Sequence, residues 1–167
     1  VHAQGTSITN FTVPYTSYLY DFWEKAVPSP QAYLPSKIVR GEDLQVGALN
    51  NPNDLFVSEQ GEIYILDTGN NRVVVADQDF KLLREISAFG DGDSFSSPMG
   101  VFVTPEGHIY VADTGKGRIV HLNPDGSLNR IVPAPQAELE GVLPANFNYR
   151  PLKVGVDEHG RIYVIAQ

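Results

Sequence analysis

Apolar residues through the middle of this chain come in short runs, and Gly, Asn, Asp or Pro closes each run. Residues 55–57, 63–66, 73–75 and 82–86 are such runs, rich in β-branched and aromatic side chains. Runs of this length and punctuation predict strands joined by tight turns, because β-branched side chains suit a pleated surface and the closing residues tolerate turn backbone angles. The predicted turns fall at 59–61, 68–71 and 77–80. The same pattern recurs without a gap 46 residues later, pairing Pro52 with Pro98, Gly61 with Gly107, Tyr64 with Tyr110, Asp67-Thr68-Gly69 with Asp113-Thr114-Gly115, and Arg72 with Arg118. A third copy starts at Pro151, with Gly160 and Tyr163 in step, and runs to Gln167.

Repetition at roughly 40 to 50 residues marks a solenoid, propeller or array. Four strands per unit is the content of a propeller blade and excludes helical repeats. The consensus Pro-x-(Gly/Asp)-hydrophobic-x-Val, then Gly-x-Ile-Tyr-(Ile/Val)-x-Asp-Thr-Gly-x-x-Arg-(Ile/Val), resembles the NHL repeat, and the resemblance covers residues 37 to 167. It implies an all-β fold: a β-propeller of NHL type, with two complete four-stranded blades at 52–86 and 98–132 and part of a third at 151–167. More narrowly, residues 15–41 followed by the repeats resemble a group of secreted bacterial NHL-repeat proteins, some catalogued as gluconolactonase-like. Such a likeness sets a prior on function and proves no activity.

Rings close with four to eight blades, and six units of this period would take roughly 280 residues. At 167 residues the chain is therefore expected to be a fragment of a six-bladed ring, completed by the rest of its own chain or by other copies. The formal charge is −8, from 12 Lys and Arg against 20 Asp and Glu. No Lys/Arg patch is present to neutralise phosphates, which argues against nucleic acid as a partner. Cysteine is absent, which removes disulfides, thiol nucleophiles and thiolate metal sites. No run reaches the 18 or more apolar residues of a membrane span. Val1, His2, Ala3 and Gln4 have the small-x-small shape of the end of a signal peptide. Export is the preferred reading, with a tag remnant or arbitrary boundary as the alternative.

Residues 1–36 stand outside the repeat as an aromatic and proline-rich arm, containing Phe11, Tyr15, Tyr18, Tyr20, Phe22, Trp23 and Tyr33. Prolines 14, 28, 30 and 35 interrupt regular structure there, and 21–27 has room for at most one or two helical turns. Either these aromatics pack along the ring, or Trp23 belongs to a docking segment for a protein or sugar, since aromatics are over-represented in binding surfaces. Residues 37–41 read as a lone outermost strand.

Strand alternation places 41–53, 68–71, 87–97, 114–117 and 133–150 on one face, and long loops are where binding usually sits. Glu42, Asp43, Asp54, Asp67, Asp91, Asp93, Asp113, Glu138 and Glu140 make that face acidic, with Arg72, Lys116, Arg118 and Arg150 interspersed. Asp67 and Asp113 each precede a Thr-Gly turn, with Arg72 or Arg118 five residues on. A carboxylate there is suited to accept turn N–H bonds and to pair with the arginine, and its recurrence in both units favours structure over metal or substrate contact. Asp91 and Asp93, in Phe-Gly-Asp-Gly-Asp-Ser, resemble the opening of a calcium loop, but Phe95 stands where a third oxygen belongs and no closing Glu follows. A solvated loop is the preferred reading.

Lactonase-like propellers hold calcium in the central channel through Glu, Asn and Asp side chains from several blades. Asn53 and Asp54 are the similar pair here; their counterparts are Met99 and Gly100, then Leu152 and Lys153. Lyase-type relatives would need channel histidines for zinc, but His108 and His159 fall at first turns, His121 on a third strand and His2 in the tail. No G-x-S-x-G is present. Segments 55–57, 101–103 and 154–156 are expected to line an apolar channel wall. The reading is an extracellular, non-enzymatic binding or scaffold module that takes a protein or carbohydrate on its long-loop face, with no cofactor. The alternative is a calcium-dependent lactonase-type hydrolase with most metal ligands elsewhere.

Overall fold

The computed structural model describes residues 18–28, 37–136 and 147–167. Contacts divide the chain into two compact units, Val1–Val39 and Arg40–Gln167. Val1 to Gln4, Phe11, Tyr15, Tyr33, Glu138 and Glu140 lie outside the described residues. No helix among the described residues is long and apolar enough to cross a membrane.

In the first unit β1 (Tyr18–Tyr20) and β2 (Ala26–Pro28) form an antiparallel hairpin. Its turn is closed by Asp21, whose Oδ1 accepts the backbone N–H of Trp23 at 2.8 Å and of Lys25 at 2.9 Å. That side-chain closure makes a hairpin of the residues for which helical turns were expected. Trp23 and Phe22 stand exposed at its tip with rings edge to face, 5.1 Å apart.

The second unit carries the repeats. β3 (Pro52–Val57), β4 (Ile63–Asp67), β5 (Arg72–Ala76) and β6 (Leu82–Ile86) form one antiparallel sheet in chain order. After a small hairpin of β7 (Ala88–Phe89) and β8 (Asp93–Ser94) comes a second sheet of β9 (Gly100–Val103), β10 (Ile109–Asp113), β11 (Arg118–Leu122) and β12 (Leu128–Val132). β13 (Pro151–Val156) and β14 (Ile162–Ala166) form a third, two-stranded sheet. The first turn of each repeat needs a residue in the left-handed region, and glycine supplies it: φ is +83° at Gly61, +87° at Gly107 and +75° at Gly160.

Residues 37–40, expected as a lone outer strand, form no ladder among the described residues. A strand exists through its cross-strand bonds. Here the chain instead curls, with the Arg40 carbonyl accepting from Asp43 at 3.1 Å and Leu44 at 3.3 Å, and Leu44 buried beneath.

The core lies between the sheets. Tyr64, Leu66, Val73 and Val75 of the first sheet meet Val101, Val103, Ile109, Val111, Val120 and Leu122 of the second. The alternate residues of the second sheet, Tyr110, Ala112 and Ile119, meet Val154 of the third, with Val156, Ile162 and Val164 packed alongside. Period-2 alternation thus sends one face of the second sheet to each neighbour, so β10 is buried on both faces; β4 and β5 of the first sheet are buried along their whole length as well. Burial contributes about 1.5–3 kcal/mol per large aliphatic side chain. Phe89 and Phe95, 4% and 3% exposed, join the first of these seams with rings 4.8 Å apart. The stretch expected as a solvated loop is thereby pinned at both ends.

This stacking also corrects the expected channel wall. Val101, Val103 and Val154 pack against neighbouring sheets, because side chains leave a strand perpendicular to its sheet and radial sheets meet face to face.

Candidate functional site

The long-loop end is built from the Asp-Thr-Gly turns, each a single 3-10 turn: Thr68–Asn70 after β4 and Thr114–Lys116 after β10. Each residue type has a distinct task. Asp67, fully buried, accepts the Asn50 N–H at 2.7 Å, the Asn70 amide at 2.8 Å and Arg72 Nε at 2.7 Å. Asp113, equally buried, accepts the Ser96 N–H at 2.6 Å and Arg118 Nε at 2.7 Å. Each aspartate therefore clamps the loop that leads into its own sheet. Thr68 Oγ1 donates at 2.7 Å to the carbonyl of Pro98, and Thr114 Oγ1 donates to that of Pro151, joining each turn to the following repeat. Glycine is needed third because the loop backbone passes against it: a Cβ on Gly69 would lie 2.7 Å from the Asn50 carbonyl oxygen, and one on Gly115 2.5 Å from that of Ser96.

Asp93 is likewise committed. It faces Arg118 Nη1 at 2.7 Å and Lys116 Nζ at 2.6 Å, and these bonds, Arg118's first, hold its carboxyl well below the usual range. Asp91 is exposed in the turn of the β7–β8 hairpin.

Asn53 and Asp54 tie repeats together. Asn53 Nδ2 donates to the Met99 carbonyl at 2.8 Å, Asp54 Oδ2 accepts the Val101 N–H at 2.9 Å, and Asp54 Oδ1 pairs with Lys153 Nζ at 2.6 Å. Calcium needs several oxygens converging at 2.3–2.6 Å. At Asp54 an incoming calcium ion would meet the Lys153 ammonium, and Met99, Gly100 and Leu152 bring no side-chain oxygen. These residues do not fit a calcium site. Among the described residues no three His, Asp or Glu side chains are grouped as metal ligands.

A groove of about 340 Å³ opens at this end between the second and third sheets, lined by Ser97, Met99, Thr114, Asn148, Arg150 and Leu152. Arg72, Lys116, Arg118 and Lys153 are each paired with a carboxylate. The exposed Arg150 guanidinium has no such partner among the described residues. Of the loop expected to carry binding, 137–146 lies outside the described residues.

At the opposite end the structure joins two histidines that sequence reasoning kept apart. His121 on β11 stacks on Tyr110, centroids 4.2 Å apart and planes 12° apart, and its Nε2 lies 3.1 Å from His108 Nδ1. One ring donates and the other accepts, and only with both rings charged would two N–H groups meet head to head; a proton on the buried His121 Nδ1 would find no acceptor among the described residues. Burial first, then His108 and Arg130, push the His121 pKa down to about 4. Register held the signal: with Asp113 opposite Arg118, counting back puts Tyr110 opposite His121, and His108 shares Tyr110's face.

Comparison with known proteins follows this architecture. The catalytically inactive virginiamycin B lyase from Staphylococcus aureus, solved with quinupristin, is 14% identical with a TM-score of 0.52; the match covers 88% of this chain and 40% of that one. Kuenenia stuttgartiensis hydrazine synthase is 14% identical with a TM-score of 0.53, covering 80% and 32%. The WD40 β-propeller domain of Doa1 is 17% identical with a TM-score of 0.50, covering 71% and 35%. At such identities the likeness shows the propeller fold alone, and the chain spans well under half the length of each. Comparison with curated proteins finds no match. The model of the SMP-30/gluconolactonase/LRE-like region matches residues 36–140. That is well over half the chain, and it carries both complete repeats, so this chain belongs to the SMP-30/gluconolactonase/LRE-like family.

Proposed function

We propose that this chain is a non-enzymatic binding module that takes a protein or carbohydrate partner in the long-loop groove between the second and third sheets. The observation that carries the reading is Arg150, a guanidinium without an ion-pair partner among the described residues, at a groove near which Arg72, Lys116, Arg118 and Lys153 are each paired with a carboxylate. Its planar fork suits a carboxylate, while Asn148, Ser97 and Thr114 add polar contacts and Met99 and Leu152 an apolar floor. Polygalacturonate and an acidic peptide, immobilised for biolayer interferometry beside dextran, test this. The carboxylate-bearing surfaces should retain the protein, and Arg150→Gln should weaken retention about tenfold, the value of one charged hydrogen bond. Equal retention on dextran, or an unaffected variant, would sink the reading.

The family match favours a second reading, a lactonase-type hydrolase. A calcium site would stabilise the fold by about 2.7 kcal/mol at a hundredfold excess of calcium over Kd, and so raise the melting temperature. With Asp54 held by Lys153, millimolar calcium is expected to leave the transition where chelator leaves it.

A further inference from the structure

The three repeats treat one tyrosine hydroxyl differently. In the first sheet the Tyr64 hydroxyl donates to Glu62 Oε2 at 2.5 Å and accepts from Arg84 Nη2 at 3.1 Å. In the third, the Tyr163 hydroxyl donates to Asp157 Oδ2 at 3.2 Å. In the second, His108 stands where Glu62 stood and turns to His121 instead. The Tyr110 hydroxyl then has no hydrogen-bond partner among the described residues, and the residue is 5% exposed. Tyr110 lines a cleft of about 460 Å³ between the second and third sheets, at the end opposite the long loops. The hydroxyl oxygen is not itself sealed from solvent, so water or a ligand in the cleft supplies the bond that its counterparts take from side chains.

The charge around it says what. Glu106, Asp157 and Glu158 line the same cleft. Asp157 is taken by Arg161 Nε at 2.7 Å, whereas Glu106 and Glu158 have no Lys or Arg partner among the described residues. The closest cation to Glu158 is the ring of His159, at 3.8 Å and charged only when protonated. The Glu106 carboxyl is held below its usual range by its own backbone N–H first, then the Thr104 hydroxyl. The cleft thus offers anionic acceptors and an idle hydroxyl above the apolar Phe102, Pro105 and Val156.

We propose that this cleft binds a protonated primary amine on an aliphatic stem, with the Tyr110 hydroxyl and the Glu106 carboxylate accepting from the ammonium. Phe102 and Val156 cover the stem. Such an amine is carried by free polyamines and by lysine side chains alike. The site is separate from the Arg150 groove, so neither stands or falls with the other.

Isothermal titration of the folded protein with spermidine, Nα-acetyl-lysine amide and hexane-1,6-diol tests this. The two amines should bind saturably and weaken as salt is added, and the uncharged diol should not bind. Binding by spermidine alone would assign the site to free polyamines, and by the lysine amide to a protein partner. Glu106→Gln should weaken the amine about threefold to fivefold, as loss of an exposed ion pair does. Tyr110→Phe, which keeps the ring, should cost about tenfold, the worth of a hydrogen bond with one charged partner. Absence of saturable amine binding, diol binding of equal strength, or indifference to both substitutions would overturn the proposal.

Discussion

Acid should weaken this protein through His121, and replacing that residue should remove the effect. Burial first, then the charges of His108 and Arg130, hold its pKa at about 4 in the folded chain, while an unfolded histidine titrates near 6.5. As pH falls through 6.5 the unfolded chain takes up a proton that the folded chain refuses, so stability declines, and the decline levels off only below about 4. Linkage gives about 2 kcal/mol lost between pH 7 and pH 5, and about 3 kcal/mol by pH 4. His121→Val is the apt variant, because Val75 holds the same place in the first sheet, opposite Tyr64 as His121 is opposite Tyr110. Urea unfolding followed by far-ultraviolet circular dichroism, at pH 7, 6 and 5, gives the two stability profiles. Asp93, Asp125 and Asp157, whose carboxyls also sit low, are common to both proteins and cancel in the difference. Wild type should fall by about 2 kcal/mol more than the variant over this range. Parallel profiles would refute the argument, and so would a wild-type loss confined to pH below 4.

Other outcomes follow from the turn clamps. Asp113→Ala leaves Arg118 Nε and the Ser96 N–H without their shared acceptor, and should cost about 3–5 kcal/mol in urea unfolding, as breaking a buried charge pair does. Gly115→Ala drives a Cβ to 2.4 Å from Ser96 Oγ and 2.5 Å from its carbonyl oxygen and should destabilise by about 1–3 kcal/mol. Gly155→Ala, with open space around it, should shift the midpoint little and serves as the control. Exchanging Asp54 for Asn, which keeps an oxygen toward the Val101 N–H but gives up the Lys153 ion pair, should cost about 1 kcal/mol or less, because Lys153 is half exposed.

The strands were legible because turn chemistry and apolar pattern agree in each repeat: Gly61 and Gly107 fix the first turns, and the Asp-Thr-Gly triplets the second. The arm and the linkers were less so. Asp21 closes a hairpin with its own side chain, a local bond that helical periodicity does not report. Residues 37–40 have strand-like composition, but composition does not supply a partner. Phe89 and Phe95 read as loop residues because the pairing between them is two residues long and their burial comes from the neighbouring sheets. At the candidate sites, residue type was a poor guide to availability. Asp54 and Asp93 look like ligands in the sequence, yet Lys153, Lys116 and Arg118 reach them from 99, 23 and 25 residues away. Nor does residue type mark Arg150 and the Tyr110 hydroxyl as the groups left without a side-chain partner among the described residues.

The threonine of each Asp-Thr-Gly turn reaches forward to the proline carbonyl that begins the next repeat, so every module carries its own coupling to its successor. A duplicated gene segment spanning one period would bring a working joint with it, without new contacts having to evolve. Growth by whole copies is then mechanically cheap, and the joint tolerates linkers of different length, since threonine and proline stand 30 residues apart at the first seam and 37 at the second.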